Sequence, residues 1–587
     1  MSNRRGRANW VGSASAMQGQ SFMKSLFCGA IEEDLIFPWP EPPALRAAAV
    51  QSTLDRVRRF SSERVDSAEI DRQEQIPDGV LRGLKELGAF GMDVPERFGG
   101  LGLTNTGYAR VIQEMAGIDP SVAMTLLAHQ SIGLKAVLLF GNQAQKARYL
   151  PRLATGELVA AFALTEASAG TDVASIRTRA ELQTDGSYIL NGSKIWVTNG
   201  GLADVFTVFA RTSSEEEGAK PRVTAFFVER AWGVRSGPSE RKLGVRGSST
   251  THLSFDAVRV PADAVLGEPG HGVRVAMQVL DCGRLALASG CVGLCRRAIR
   301  MAIEHCRERR AFGRPIGEFG LIKDKIATMM SKAWALESVT YLTTGMVDAG
   351  FEDFSLESAI GKVYASETCL DVVHEALQVA GGGAYMADCP YERLLRDARI
   401  NLVFGGTNET LRAFIALGGM QGRGRQLADV ARAIREPIKG FGLLTEFAIR
   451  RARSALNRER MTRHAPVLSR EALVFEQYAL ELARGVDKVL RKHGRDIAEM
   501  QFTQKRTSDL AINLYAVAAC IARATRAVER RGEEGAKREI DLTRVFVADA
   551  ERRIAQTVAE IDKNDDELRK SIANRAYVDG AYPFDVV

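Results

Sequence analysis

Tyr188-Ile189-Leu190-Asn191-Gly192-Ser193-Lys194-Ile195-Trp196-Val197-Thr198 is where the chain changes its rhythm. Branched and aromatic residues favour strands, and Asn-Gly supplies the positive φ angles of a tight turn, so the stretch predicts a β-hairpin. Val205 to Ala210, Val223 to Val228 and His252 to Val260 predict further strands with the same period of two. On both sides the apolar spacing is helical. Leu54, Val57 and Phe60 share one face before the β region, and Asp324 to Val347 is a long periodic run after it. Asp119-Pro120-Ser121 predicts a helix start.

The expected order is therefore helices, a β domain, helices and a helical extension. Its boundaries are 1–44 for a basic tail and extended leader, 45–155 for a helical domain and 156–268 for the β domain. A helical bundle at 269–420 and an Arg-rich extension at 421–587 complete it. Pro38, Pro40, Pro42 and Pro43 argue against helix in the leader.

A chain of 587 residues exceeds one core. The net charge of +7 is only mildly basic, and aromatic residues are not gathered beside basic runs, which gives nucleic-acid binding little support. Eight cysteines form no pair of Cys-x-x-Cys motifs. Cys291 and Cys295 lie one helical turn apart without completing a metal set, so structural thiols are expected and no metal. No run of about twenty apolar residues is evident, Leu510 to Ala522 being the longest candidate. Arg4, Arg5 and Arg7 read as a basic tail, with a transit peptide as the alternative. A cytoplasmic location is expected.

Chemistry gathers around Arg396-Asp397-Ala398-Arg399-Ile400-Asn401-Leu402-Val403-Phe404-Gly405-Gly406-Thr407-Asn408. Paired glycines between helical runs let a backbone approach a ligand, although most such pairs are turns. With Ser21-Phe22 to Phe37-Pro38, Gly88-Ala89-Phe90-Gly91, Gly200-Gly201-Leu202-Ala203-Asp204 and the extension, the chain resembles the acyl-CoA dehydrogenase family, most closely its very-long-chain type.

The resemblance implies a mainly α fold with a central β-barrel-like domain, a four-helix bundle and a C-terminal helical extension. It also implies FAD. Phe162, Leu164, Thr165 and Thr171 match the family's flavin loop, in which Ala167 replaces a usual proline. Trp196, Val197 and Thr198 match its ring-facing strand; two-residue spacing puts the indole and the Thr198 hydroxyl on one face. Arg309, Phe312, Lys323, Gln378, Gly381 and Gly382 match positions that receive the flavin pyrophosphate across a homodimer interface. There Lys323 replaces a usual glutamine and Ala384 a usual glycine. Thr407 and Glu409 complete the cofactor set; Thr171, Asp281, Arg284, Phe404 and Gly406 are the implied acyl-CoA contacts. The implied partners are long-chain acyl-CoA and an acceptor like electron-transfer flavoprotein.

One expected group is missing. α,β-Desaturation needs a base for the proton beside the thioester, a contribution of about 10²–10⁴-fold. Relatives place a glutamate immediately before Gly-Thr, where this chain has Gly405; a second family position for the base is Gly283. Glu409 is the nearest carboxylate in sequence and the candidate substitute if the next helix starts close to Gly405. The catalytic residue is unassigned, and two readings stand: a dehydrogenase with a non-standard base, and an inactive FAD and acyl-CoA binder acting as a sensor or assembly partner. Different flavin chemistry is a third. Residues 441–461, apolar at helical spacing and rich in arginine, fit peripheral membrane contact or a helix packed on its own domain.

Overall fold

The computed structural model describes residues 21–212, 222–435 and 459–585. They form two compact units, one of Ser21 with Leu35–Leu411 and one of Phe22–Asp34 with the chain from Arg412 onward. Most of the 441–461 segment lies outside the described residues.

In the first unit, helices Ala44–Arg64, Asn105–Ile118 and Pro120–Phe140 precede the sheet. Asp119 starts the third as expected, its carboxylate accepting from the Val122 amide at 2.8 Å. Inside that helix, Ala128–Leu134 widens into a π turn. His129 there accepts from the Ala160 amide at 2.9 Å and donates to the Leu153 carbonyl at 3.1 Å. Burial draws its pKa down to about 4, so the ring is a neutral strut fixing the helix to the first strand.

The sheet comprises β1 Ala160–Ala163, β2 Arg179–Leu182, β3 Tyr188–Thr198, β4 Val205–Thr212, β5 Arg222–Glu229, β6 Arg235–Ser236, β7 Thr250–Val260 and β8 Val265–Leu266. Their order is β6-β7-β3-β2-β4-β5-β8, with β1 parallel to β4. Phe209, Phe227 and Val205 pack with Leu134, Val137, Leu150 and Val279 in one core that joins sheet to helices.

The expected hairpin is absent: β3 is one continuous strand, antiparallel to β7 over its length. Asn191 faces two residues of β7, Asp256 and Ala257, a bulge in which Ala257 takes a φ of 50° and its amide donates to the Asn191 side chain at 2.8 Å. Asn-Gly faces a bulge of β7 and makes no turn, because both halves of β3 find the same partner strand. A second register shift falls between Lys194 and Val197, with Trp196 at φ 54°. Simple alternation therefore does not carry from Trp196 to Thr198.

After the sheet come helices Gly272–Glu308, Gly320–Asp348, Ser355–Ala380 and Pro390–Arg399. In the second unit, Ser469–His493, Gln501–Gly535 and Lys537–Asp562 pack together. The leader is not wholly extended. Phe22–Phe27 is helical, and Phe22, Met23, Leu26 and Phe27 are buried in this unit, Phe22 against Phe475 and Tyr515. The expectation of no membrane-length run also needs correction. Pro120–Phe140, Gly272–Glu308 and Gln501–Gly535 are long and apolar enough to cross a membrane by length and composition, but their apolar stretches are mostly buried within the protein.

Candidate active site

Gly405 and Gly406 follow a short 3₁₀ turn at Ile400–Leu402, with φ of 70° and 95°. This left-handed backbone is what the glycine pair supplies. Two buried basic side chains hold the loop. Arg284, from the Gly272–Glu308 helix, donates through Nε to the Gly405 carbonyl at 3.1 Å and through Nη1 to Asp281 at 2.7 Å. Lys362, from Ser355–Ala380, donates to the Gly406 carbonyl and to Asn408 Oδ1, both at 2.8 Å. Burial brings its pKa down to about 7. Sequence reasoning missed Lys362; a lysine within an apolar helical run was the available signal.

The space above Gly405 is open. A Cβ built there meets only Leu287 Cδ1, at 3.8 Å. At Gly283 a Cβ would stand 2.7 Å from Ile132, so that position is filled by its neighbour. The following helix begins at Asn408, not at Gly405, so the assumed one-turn relation of Glu409 to Gly405 does not hold. Glu409 is exposed in that helix's first turn. Thr407 bonds the Thr410 hydroxyl at 3.1 Å, and Phe404 is half-buried.

A second group stands on the sheet. Phe162 lies in β1, Leu164 is buried, and the Thr165 carbonyl accepts from the Ile195 amide at 2.9 Å, which ties this loop beside Trp196. Trp196 is 64% exposed despite its size, whereas Val197 is buried and Thr198 half-buried. Beneath the loop, Lys194 is fully buried and donates to Glu166 at 2.7 Å and to the Leu164 carbonyl at 3.0 Å. Glu166 also accepts the amides of Arg177 and Thr178 at 2.5 and 3.0 Å. Burial works against its charged form, but Lys194 and those amides outweigh it and hold the carboxyl below its ordinary range. Glu166 is a locked structural anion. Thr171 is exposed at the loop's end.

A third group is separate in its contacts. Arg309 caps Gly272–Glu308, Phe312 sits 95% exposed in the turn between Arg310–Ala311 and Arg314–Pro315, and Lys323 lies in the first turn of Gly320–Asp348. Gln378 is exposed near the end of its helix, and Gly381 and Gly382 follow with open space where side chains would be. Among the described residues these six make no side-chain hydrogen bond to the other groups.

Comparison with known proteins matches the acyl-CoA dehydrogenase N-terminal domain at residues 48–157, the middle domain at 161–258 and the C-terminal domain at 270–420. The chain belongs to the acyl-CoA dehydrogenase family. Residues 466–581 match the ACAD9/ACADV C-terminal domain. The very long-chain specific acyl-CoA dehydrogenase of Rattus norvegicus, described as mitochondrial, is 40% identical over 561 residues, 93% of this chain and 85% of the relative. An acyl-CoA dehydrogenase of Bacillus subtilis is 38% identical over 369 residues, 62% of this chain and 96% of the relative. Among solved structures, an acyl-CoA dehydrogenase complexed with FAD from Bacillus anthracis aligns with a TM-score of 0.77 at 30% identity, covering 96% of both chains.

Proposed function

We propose that this protein is an FAD-dependent flavoprotein that binds long-chain acyl-CoA and desaturates it between the α and β carbons, the proton leaving to a group other than residue 405. The observation that carries the reading is the frame around Gly405: Arg284 and Lys362 hold the carbonyls of Gly405 and Gly406 while the space above residue 405 stays open. Burying two basic side chains is costly unless they are hydrogen-bonded, and their bonds here go to the carbonyls of this loop.

The donor set fits FAD. Trp196 offers an exposed aromatic face, Thr165 and Thr198 offer hydroxyls, and the Gly381–Gly382 turn offers uncrowded backbone. When bound, FAD supplies a hydride acceptor. Phe162, Leu164, Thr171, Val197, Thr407 and Glu409 would complete its pocket. Arg309, Phe312, Lys323, Gln378, Gly381 and Gly382 would serve the cofactor of a second copy, making the working form a homodimer; a guanidinium fork suits pyrophosphate oxygens. Asp281, Arg284, Thr171, Phe404 and Gly406 would orient the thioester end, and an acceptor like electron-transfer flavoprotein would remove the electrons. Peripheral membrane contact through 441–461 is part of the same reading.

A second reading, an inactive binder of FAD and acyl-CoA, is favoured by the state of three carboxylates in the site segments. Asp281 is paired with Arg284, Glu166 is locked by Lys194, and Glu409 is exposed. An anaerobic absorbance titration with long-chain acyl-CoA separates the two. The dehydrogenase reading expects the flavin band to bleach; an oxidised flavin with ligand demonstrably bound rejects it in favour of the binder. Protein that contains no flavin and takes none up rejects both.

A further inference from the structure

A cavity of about 370 Å³ opens between Ala44–Arg64, Asn105–Ile118 and Gly272–Glu308, all within the first unit. Arg58, Arg110, Arg296, Arg297 and Arg300 line it, and Glu114 is the one carboxylate in the lining. Glu114 is already engaged, bonded by Arg58 at 2.9 and 3.1 Å and by Arg110 at 3.0 Å. Arg296 stands 3.4 Å from Glu337 and Arg300 4.0 Å from Glu304, the outer range of ion pairing. Arg297 donates to the Ile118 carbonyl at 2.7 Å, at the C-terminal end of its helix. Burial lowers the pKa of Arg297; the charges of Arg393 and Arg300 push the same way, and those of Asp119 and Asp397 oppose it. An arginine nevertheless stays protonated, so within the lining five guanidinium groups face one carboxylate, while Asp55, 3.5 Å from Arg58, Glu304 and Glu337 pair from outside it.

The five arginines line one volume within the usual range for small-ligand sites, on helices whose packing is tight: Gly293 lies directly against the Gln113 backbone. Forked donors approaching from several directions suit an anion with several oxygens and more than one charge. We infer that this cavity is a binding site for a phosphorylated anion. Phosphate chemistry is common to a soluble phosphorylated metabolite and to a lipid headgroup.

The test uses the full chain at low ionic strength. Calorimetric titration with inorganic pyrophosphate and with ADP probes the soluble source, and co-sedimentation with phosphatidylcholine vesicles, with and without phosphatidylglycerol, probes the headgroup. Arg296 and Arg300 are exposed, so the Arg296→Gln/Arg300→Gln double variant should fold; Arg300→Glu is the second variant, and circular dichroism checks both. Saturable binding that weakens with salt and falls at least about tenfold in both variants is expected for one of the two sources. No binding from either source, or binding of equal strength in the variants, overturns the inference.

Discussion

A side chain at position 405 would have room but an unfavourable backbone. The nearest atom to a Cβ there is Leu287 Cδ1 at 3.8 Å, while the φ of 70° costs a non-glycine residue about 1–2 kcal/mol. Gly405→Glu should therefore fold, with stability lowered by about that amount in urea titration. If the open space marks only a lost base, acyl-CoA-driven flavin bleaching should accelerate by about 10²–10⁴-fold in stopped-flow measurements. A variant that binds flavin and ligand but gains no rate would show that the pocket differs elsewhere. Gly405 itself was legible in the sequence because a family motif frames it. Its support was not: Arg284 and Lys362 lie 121 and 44 residues from the carbonyls they hold, distances that no local pattern spans.

At the scale of an element, the loop from Thr165 depends on the pair beneath it. Lys194 is wholly buried and Glu166 nearly so. Removing one member strands a buried charge, a loss of about 3–5 kcal/mol, whereas replacing both by apolar residues costs less. Glu166→Met should show that loss in chemical denaturation and should weaken flavin retention. Glu166→Met/Lys194→Met should recover part of the stability, though the amides of Arg177 and Thr178 would stay unpaired. A single variant within about 1 kcal/mol of the parent would contradict the structural role of the pair. Lys194 also shows why β3 was half legible. Its strand character follows from branched and aromatic residues, but Asn191-Gly192 serves equally for a turn and a bulge. Only the partner strand decides between them, and β7 lies some sixty residues away. The helices were easier, since each declares its apolar face within a few turns.

At the scale of the molecule, the order of chain segments and the grouping of their cores differ. The sequence reads as consecutive domains, yet Phe22–Asp34 belongs to the compact unit that otherwise begins at Arg412. A leader rich in prolines farther along gave no sign of this, because the partners of Phe22, Phe475 and Tyr515, lie more than four hundred residues on. Phe22 is fully buried, with ring centroids 6.4 Å from Phe475 and 6.2 Å from Tyr515. Its truncation removes about 3–5 kcal/mol of packing from that unit alone. Phe22→Ala should therefore lower the stability of the extension while the first unit keeps its sheet and flavin. Limited proteolysis would detect this as earlier cleavage within 459–585, with fragments of the first unit persisting. Equal loss of protection in both units would mean that the two unfold as one body, and unchanged cleavage would mean that the Phe22–Phe27 helix does not anchor the extension.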